Sequence, residues 1–287
     1  MFVHVAVTGG AGGLGREVVG LLRASGHAVR SIDRAEASGS VMADLRDMED
    51  VRRSLEGVDG LVHLAAWPTP HAAEISRVFS DNVLMAGNVL FAAAAMGIRN
   101  VVVASSQSVL GLPWAPEVVE PDYLPVDERH PCRPADGYSL SKLVTEQIAQ
   151  MLSAQGRLDA MVLRFPAIWD PARFGESIAG RLARPDQGAK SQWAYVDLRD
   201  AAHAVHLALA TARGGCTVLN VTAPTVFSSE TTAELVRRWY PVLAARSERL
   251  PASAEACFDW RRAREVLGFT CRYRWTVDGI AKVVPPV

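Results

Sequence analysis

Short runs rich in apolar and β-branched residues alternate along the chain with longer stretches in which apolar residues recur every three to four positions. The runs at 2–7, 28–32, 60–65, 100–105 and 159–164 predict strands. The periodic stretches at 13–25, 47–56, 74–96 and 137–155 predict helices between them. A strand such as Asn100-Val101-Val102-Val103-Ala104 has no polar alternation, which is the pattern expected when helices cover both faces of a sheet. Strand and helix in strict alternation predict an α/β fold, a doubly wound parallel sheet.

Two stretches break this rhythm. Residues 107–136 carry Pro113, Pro116, Pro121, Pro125, Pro131 and Pro134, and a loop of that length in a compact domain is usually functional. Residues 166–192 carry Pro166, Pro171 and Pro185. A strand-like piece follows at Gln192 to Val196, then a helix at 198–212 and a strand at 216–222. The tail from 223 to 287 predicts two or three short helices. The division expected is a main domain of 1–165 with 193–222, and a small C-terminal cap of 166–192 with 223–287.

Composition narrows the function classes. The 287 residues are 49% hydrophobic and 21% charged, with a formal net charge of -1, which excludes a disordered chain. Near-neutral charge removes the electrostatic case for nucleic acid or an acidic membrane as partner. Cys132, Cys216, Cys257 and Cys271 form no C-x-x-C pair and have no His cluster beside them, so no metal site and no disulfide framework is expected. Reduced thiols fit a cytoplasmic protein. The chain opens directly into the strand pattern Phe2-Val3-His4-Val5-Ala6-Val7, without the features of a signal peptide. The apolar stretch from Val89 to Ile98 is shorter than the roughly 18 residues of a membrane span.

The first strand runs into Thr8-Gly9-Gly10-Ala11-Gly12-Gly13-Leu14-Gly15-Arg16 and then into a helix. Gly9, Gly12 and Gly15 stand three apart, as required for a tight turn, a close backbone approach to a pyrophosphate, and close packing of helix on strand. The helix N-terminus offers free N–H groups and partial positive charge to phosphates. The motif therefore points to a bound dinucleotide. Asp33 ends the second strand, where a carboxylate accepts hydrogen bonds from the adenosine ribose and favours NAD. Arg34 follows at once and could meet a 2′-phosphate, so NADP stays open. Asp44, before Leu45, is placed either to meet the adenine amino group or to cap the helix at 47–56.

Tyr138 and Lys142 open the helix at 137–155, and a spacing of four puts them on one helix face. An ammonium near a phenol favours phenolate and lowers its pKa, so Tyr138 could take a proton from a substrate hydroxyl while hydride leaves the carbon. With 5 Tyr and only Lys142, Lys190 and Lys282, a Y-x-x-x-K is expected by chance only about 0.05 times. Ser105 and Ser106 end a strand at the edge where such sheets bind ligands, and Ser106 can orient the reacting oxygen.

Taken together these motifs resemble the extended short-chain dehydrogenase/reductases, the NAD-dependent epimerase/dehydratase family. The likeness includes T-G-G-x-G-x-L-G at 8–15, Asp33, Asp44-Leu45 and His63-Leu64-Ala65-Ala66. It continues through Asn82 in Asp81-Asn82-Val83, Ser105-Ser106 with Gly111, Pro125-Val126-Asp127-Glu128, and Tyr138 to Lys142. The resemblance implies a Rossmann-type domain with a substrate-binding cap, and a catalytic triad of Ser106, Tyr138 and Lys142. It implies a dinucleotide held by Gly9, Gly12, Gly13, Leu14, Gly15, Asp33, Arg34, Asp44, Leu45, Leu64, Ala65, Ala66, Asn82, Tyr138, Lys142 and Phe165. It also implies a homodimer through 74–96 and 137–155.

Dehydratases of that family carry an Asp-Glu pair after the catalytic Ser/Thr. Gln107 and Ser108 stand here and cannot serve as acid and base, which disfavours dehydration. The chain most resembles the compact branch with uronate and aldose dehydrogenases, and departs from the uronate enzymes at Ala66-Trp67-Pro68. The substrate contacts expected are Trp67, Ser106, Gln107, Ser108, Trp169 and Arg173. Aromatic rings suit the apolar face of a sugar and Arg suits a carboxylate, although each could equally serve packing or solvation. The leading expectation is an NAD-dependent oxidoreductase acting on a CH–OH or C=O group of a small sugar-like or alcohol substrate. The alternatives are an NAD-retaining epimerase and a non-enzymatic dinucleotide sensor.

Overall fold

The computed structural model describes residues 4–36, 38–176, 180, 185–211, 214–246, 252–276 and 278–283. Its strands are β1 (His4–Thr8), β2 (Ala28–Asp33), β3 (Ser40–Met42), β4 (Gly60–His63), β5 (Asn100–Ser106), β6 (Asp159–Phe165), β7 (Ala167–Trp169), β8 (Tyr195–Asp197), β9 (Gly215–Asn220), β10 (Tyr273–Thr276) and β11 (Gly279–Lys282). Its helices are α1 (Gly13–Ala24), α2 (Met48–Leu55), α3 (Ile75–Ala95), α4 (Gly137–Ala154), α5 (Pro185–Lys190), α6 (Leu198–Thr211), α7 (Thr232–Trp239), α8 (Pro241–Arg246) and α9 (Arg261–Leu267).

Seven strands form one sheet in the order β3-β2-β1-β4-β5-β6-β9. The β1–β2, β1–β4, β2–β3 and β4–β5 pairs are all parallel. The order reverses between β1 and β4. This is the switch point at which a doubly wound sheet binds ligands, outside the carboxyl ends of its strands. Apolar strand residues such as Ala6, Leu61, Val101, Val103 and Val162 are buried together with the inner faces of α2, α3 and α4. That two-sided burial is why these strands show no polar alternation.

The chain divides into two compact units. The first is Met1–Ser106, Asp136–Leu163 and Ala202–Val218; the second is Gln107–Ala135, Arg164–Ala201 and Leu219–Val287. The proline-rich stretch after β5 thus falls with the second unit, whereas the sequence division kept it in the main domain.

Within the first unit α3 packs along α4. Its 21 residues and hydropathy of 1.4 would also suit a membrane span by length and composition. Here that apolarity serves the interior: Val78, Ala86, Val89, Leu90 and Ala93 are buried. The second unit has two aromatic-rich cores. Trp169, Tyr195, Ala223, Phe227 and Trp275 form one, and Trp193, Val226, Leu235, Val236, Tyr240 and Cys257 lie in the other. Its antiparallel β10–β11 pair stands where the sequence predicted only helices. The strand expected at Gln192 to Val196 begins only at Tyr195. Gln192 and Trp193 instead take positive φ values of 52°, which extended backbone does not allow.

Candidate active site

The first unit gathers the sequence motifs at the carboxyl ends of β1, β2, β4 and β5. Gly9 has a φ of +72°, and a Cβ there would lie 2.8 Å from Ala65 N. A Cβ on Gly15 would lie 2.0 Å from Gly9 O, so only glycine lets α1 start directly against the loop. Gly12 caps α1 with no side-chain hydrogen bond, and the first turn holds no acidic residue. The helix N-terminus therefore keeps free N–H groups and its positive end, as a pyrophosphate requires. Gly13 and Leu14 begin that helix. These residues fit a dinucleotide.

The strand ends are tied to one another. Thr8 Oγ1 lies 2.8 Å from His63 Nδ1, and Leu64 N donates to Thr8 O at 3.2 Å. Burial and the nearby Lys142 push the His63 imidazole down to about 3, so the ring is neutral. Asp33 Oδ2 accepts from Ala11 N at 3.0 Å, which places this carboxylate at the mouth of the glycine loop. Asn82 lies on α3; its Oδ1 accepts from Trp67 N at 2.7 Å and its Nδ2 donates to Ser141 Oγ at 3.1 Å. It thereby fixes the segment after Ala65 and Ala66 against α4.

Asp44 is not the helix cap. Asp47 takes that role, its side chain accepting from Glu49 N and Asp50 N. Asp44 instead pairs with Arg46 at 2.6 Å, and this partner holds its carboxyl down at about 2. Asn88 on α3 donates to the carbonyls of Leu45 and Arg46, at 3.1 and 2.9 Å, and so anchors this loop.

On α4, Asp136 caps the helix by accepting from Ser139 N at 2.9 Å. Tyr138 and Lys142 are both buried, with the ammonium 5.9 Å from the Tyr138 ring centroid. Lys142 Nζ donates to Ala104 O at 3.0 Å, and Ser106 hydrogen-bonds Tyr138. Burial pushes the Tyr138 phenol up to about 12, against a smaller lowering by Ser106. Burial also pushes Lys142 down to about 8. The lowering of the phenol by Lys142 expected from the spacing is not found: desolvation dominates, opposed only by the hydrogen bond with Ser106.

Sequence reasoning missed the next turn of α4. Glu146 is buried and accepts from Ser105 Oγ at 2.5 Å. Three successive residues of β5 thus meet Lys142, Glu146 and Tyr138, which stand four apart on α4. The repeated spacing of four was the available signal.

The remaining candidates are placed otherwise. Trp67 lies in the first unit, its indole N–H donating to Asp81 at 3.0 Å. In the second unit Gln107 and Ser108 are buried, with Gln107 Nε2 donating to Ser191 O and Gln192 Oε1 at 3.0 and 2.6 Å. Phe165 is buried at the end of β6. Trp169 stacks on Tyr195 at 4.9 Å and meets Phe227 and Trp275 edge-on, so this ring is committed to packing rather than presented to a sugar. Arg173 pairs with Glu176 at 3.1 Å on an exposed turn.

Comparison with known proteins agrees with this geometry. The family model of the NAD dependent epimerase/dehydratase family matches residues 5–222. The L-arabinose 1-dehydrogenase (NAD(P)(+)) of Haloferax volcanii is 36% identical over 168 residues, 56% of this chain and 65% of that protein. The UDP-glucose 4-epimerase of Corynebacterium glutamicum is 32% identical over 174 residues, 57% of this chain and 50% of that protein. The matched stretch therefore spans only half to two-thirds of these relatives. The solved structure of MoeE5 in complex with UDP-glucose and NAD superposes with a TM-score of 0.71 at 27% identity, covering 96% of this chain and 95% of that one. With the glycine loop, the strand order and the Tyr138–Lys142 helix in place, the chain belongs to the NAD dependent epimerase/dehydratase family.

Proposed function

We propose that this protein is an NAD-dependent dehydrogenase that oxidises a CH–OH group of a small sugar-like or alcohol substrate, or reduces the matching ketone. The observation that carries the reading is the buried Tyr138 and Lys142 of α4 beside Ser106 at the end of β5. NAD, when bound, supplies the hydride acceptor. Gly9, Gly12, Gly13, Leu14 and Gly15 would hold its pyrophosphate, Asp33 its adenosine ribose, and Asp44 with Leu45 its adenine side. Leu64, Ala65, Ala66, Asn82, Lys142 and Phe165 complete the binding set carried over from the family.

Tyr138 would take the hydroxyl proton in oxidation and return it in reduction. Ser106 holds the reacting oxygen toward the phenol. Lys142 supplies positive charge that favours phenolate as substrate closes the site. In this dry setting one charge counts for more than in water. The test is a screen of aldoses, uronates and secondary alcohols for NADH formation; no turnover with any of them overturns the dehydrogenase reading.

A second reading, an NAD-retaining sugar epimerase, is supported by the likeness to the C. glutamicum epimerase and to the UDP-glucose complex. Mass analysis of nucleotide released on denaturing the purified protein separates the two. Stoichiometric NAD favours the epimerase; a site that binds added NAD reversibly favours the dehydrogenase. A homodimer is also proposed, through the exposed Ile75, Leu84 and Phe91 of α3 and Leu140 and Met151 of α4. A monomeric mass by light scattering would count against it.

A further inference from the structure

Arg34 sits where a 2′-phosphate would be read, immediately after Asp33 at the end of β2. Asp33 Oδ1 accepts from Ala35 N at 3.1 Å, so a tight turn fixes the backbone on both sides of Arg34. The guanidinium does not stand free. Its Cζ lies 4.3 Å from the centroid of the Trp67 ring, within the range of a cation–π contact. Trp67 is itself held at several points. Its backbone N–H donates to Asn82 Oδ1 at 2.7 Å, its carbonyl accepts from Asn82 Nδ2 at 3.2 Å, and its indole N–H donates to Asp81 Oδ2 at 3.0 Å. Arg77 Cζ lies 5.7 Å from the same ring.

Charge around this ring is balanced. Arg46 bridges Asp44 at 2.6 Å and Asp81 at 3.5 Å, and Arg77 approaches Asp81 at 3.5 Å. Arg34 contributes to the low pKa of Asp44, so its charge also faces that carboxylate. Three guanidinium groups, Arg34, Arg46 and Arg77, therefore stand beside three carboxylates, Asp33, Asp44 and Asp81. A phosphate dianion arriving here meets no net positive charge, and Arg34 is already engaged by the Trp67 ring.

We propose that Trp67 is a specificity-determining residue that holds Arg34 on its ring face and so keeps the site selective for NAD over NADP. The inference rests on the dinucleotide reading of the glycine loop and deepens it. It assigns Trp67 to cofactor choice instead of to substrate contact. A cation–π contact of this kind corresponds to a change of about threefold to tenfold in an equilibrium constant.

The test is isothermal titration of NAD⁺ and NADP⁺ into the wild-type protein and into Trp67→Ala, Trp67→Phe, Arg34→Ala and the double variant Trp67→Ala/Arg34→Ala. Trp67→Ala is expected to raise the affinity for NADP⁺ relative to NAD⁺ by about threefold to tenfold. Trp67→Phe keeps a ring face and is expected to stay within about twofold of wild type. The double variant is expected to lose the gain, because Arg34 is its source. Arg34→Ala alone tests the same claim without disturbing the ring, and is expected to leave NADP⁺ affinity within about twofold. An unchanged ratio in a folded Trp67→Ala, or weaker NADP⁺ binding in Arg34→Ala or Trp67→Ala, overturns the role of Trp67 while leaving the dinucleotide site standing. Failure of the wild type to bind either nucleotide overturns the dinucleotide reading as well.

Discussion

Both units bury charged groups, and they do so to opposite ends. In the first unit, Lys142 donates to one carbonyl, and Tyr138 is buried beside Ser106. Burial moves their proton affinities apart, down to about 8 for the amine and up to about 12 for the phenol, each favouring the neutral form. In the second unit, Asp197 is fully buried but surrounded by partners. It accepts from Arg199 N and Nε at 2.9 Å, from Arg199 Nη2 at 2.8 Å and from Trp275 Nε1 at 2.8 Å. Nearby, Asp200 accepts from the backbone N–H groups of Arg272 and Tyr273 at 3.0 Å. Burial with few partners leaves a group ready to exchange a proton, whereas burial with many makes it a fastener.

The largest expected effect separates the two directly. Tyr138→Phe is expected to cut turnover by at least about 10³-fold while leaving Tm and NAD affinity nearly unchanged, because only the proton-transfer group is lost. Steady-state rates and thermal melts check this, and substantial residual turnover would remove Tyr138 from the chemistry. The converse holds for Asp197→Ala. It leaves the Arg199 guanidinium and the Trp275 indole N–H without their shared acceptor, and is expected to cost about 3–5 kcal/mol in urea unfolding. A loss below about 1 kcal/mol would mean that the fastener is replaceable.

Lys142→Met sharpens the comparison from the other side. It is expected to abolish turnover and yet raise stability at pH 7 by about 1–2 kcal/mol, since the desolvation of the ammonium outweighs its one hydrogen bond and its attraction to Glu146. The sign is fixed by linkage. A folded pKa of about 8, against 10.5 for an ordinary lysine amine, means that holding the charge is unfavourable below about 8. The stability gap between variant and wild type should therefore narrow as pH rises from about 8 to 10.5. A gap that widens would contradict the assigned shift.

The smallest effect concerns Asp200, whose carboxyl burial raises from 3.8 to about 6. A raised folded pKa contributes stability that is complete below 3.8 and lost as pH climbs through 6. The wild type should lose up to about 2 kcal/mol of that contribution over this window, and Asp200→Asn should lose none of it. Parallel pH–stability curves for the two proteins would overturn the assignment.

What could be read in the chain beforehand follows the same physics. The five main strand runs and the Tyr138–Lys142 helix were legible because two-sided burial and helical periodicity write themselves into consecutive residues. The glycine loop was legible because a Cβ at Gly15 would strike Gly9 O. β3 and β7 have only three residues each, too short for any period. The β10–β11 pair was hidden because Tyr273-Arg274-Trp275-Thr276 buries only one of its four residues. Glu146 and Asn88 were hidden for a different reason: their partners, Ser105 and the Leu45 and Arg46 carbonyls, are 41 or more positions away. The stacking of Trp169 on Tyr195 joins two short strands that the sequence did not pair.

The contact between Gly15 and the Gly9 carbonyl also bears on time. A turn in which helix and loop touch backbone to backbone has few alternative shapes to sample, so the loop proposed to seat the pyrophosphate is in place before a nucleotide arrives. Capture then spends little on ordering the loop, and the arrival rate should follow diffusion and charge more than rearrangement. A dinucleotide that leaves slowly would owe its dwell time to the hold on its two ends, with the glycine turn at its middle acting as a rigid seat.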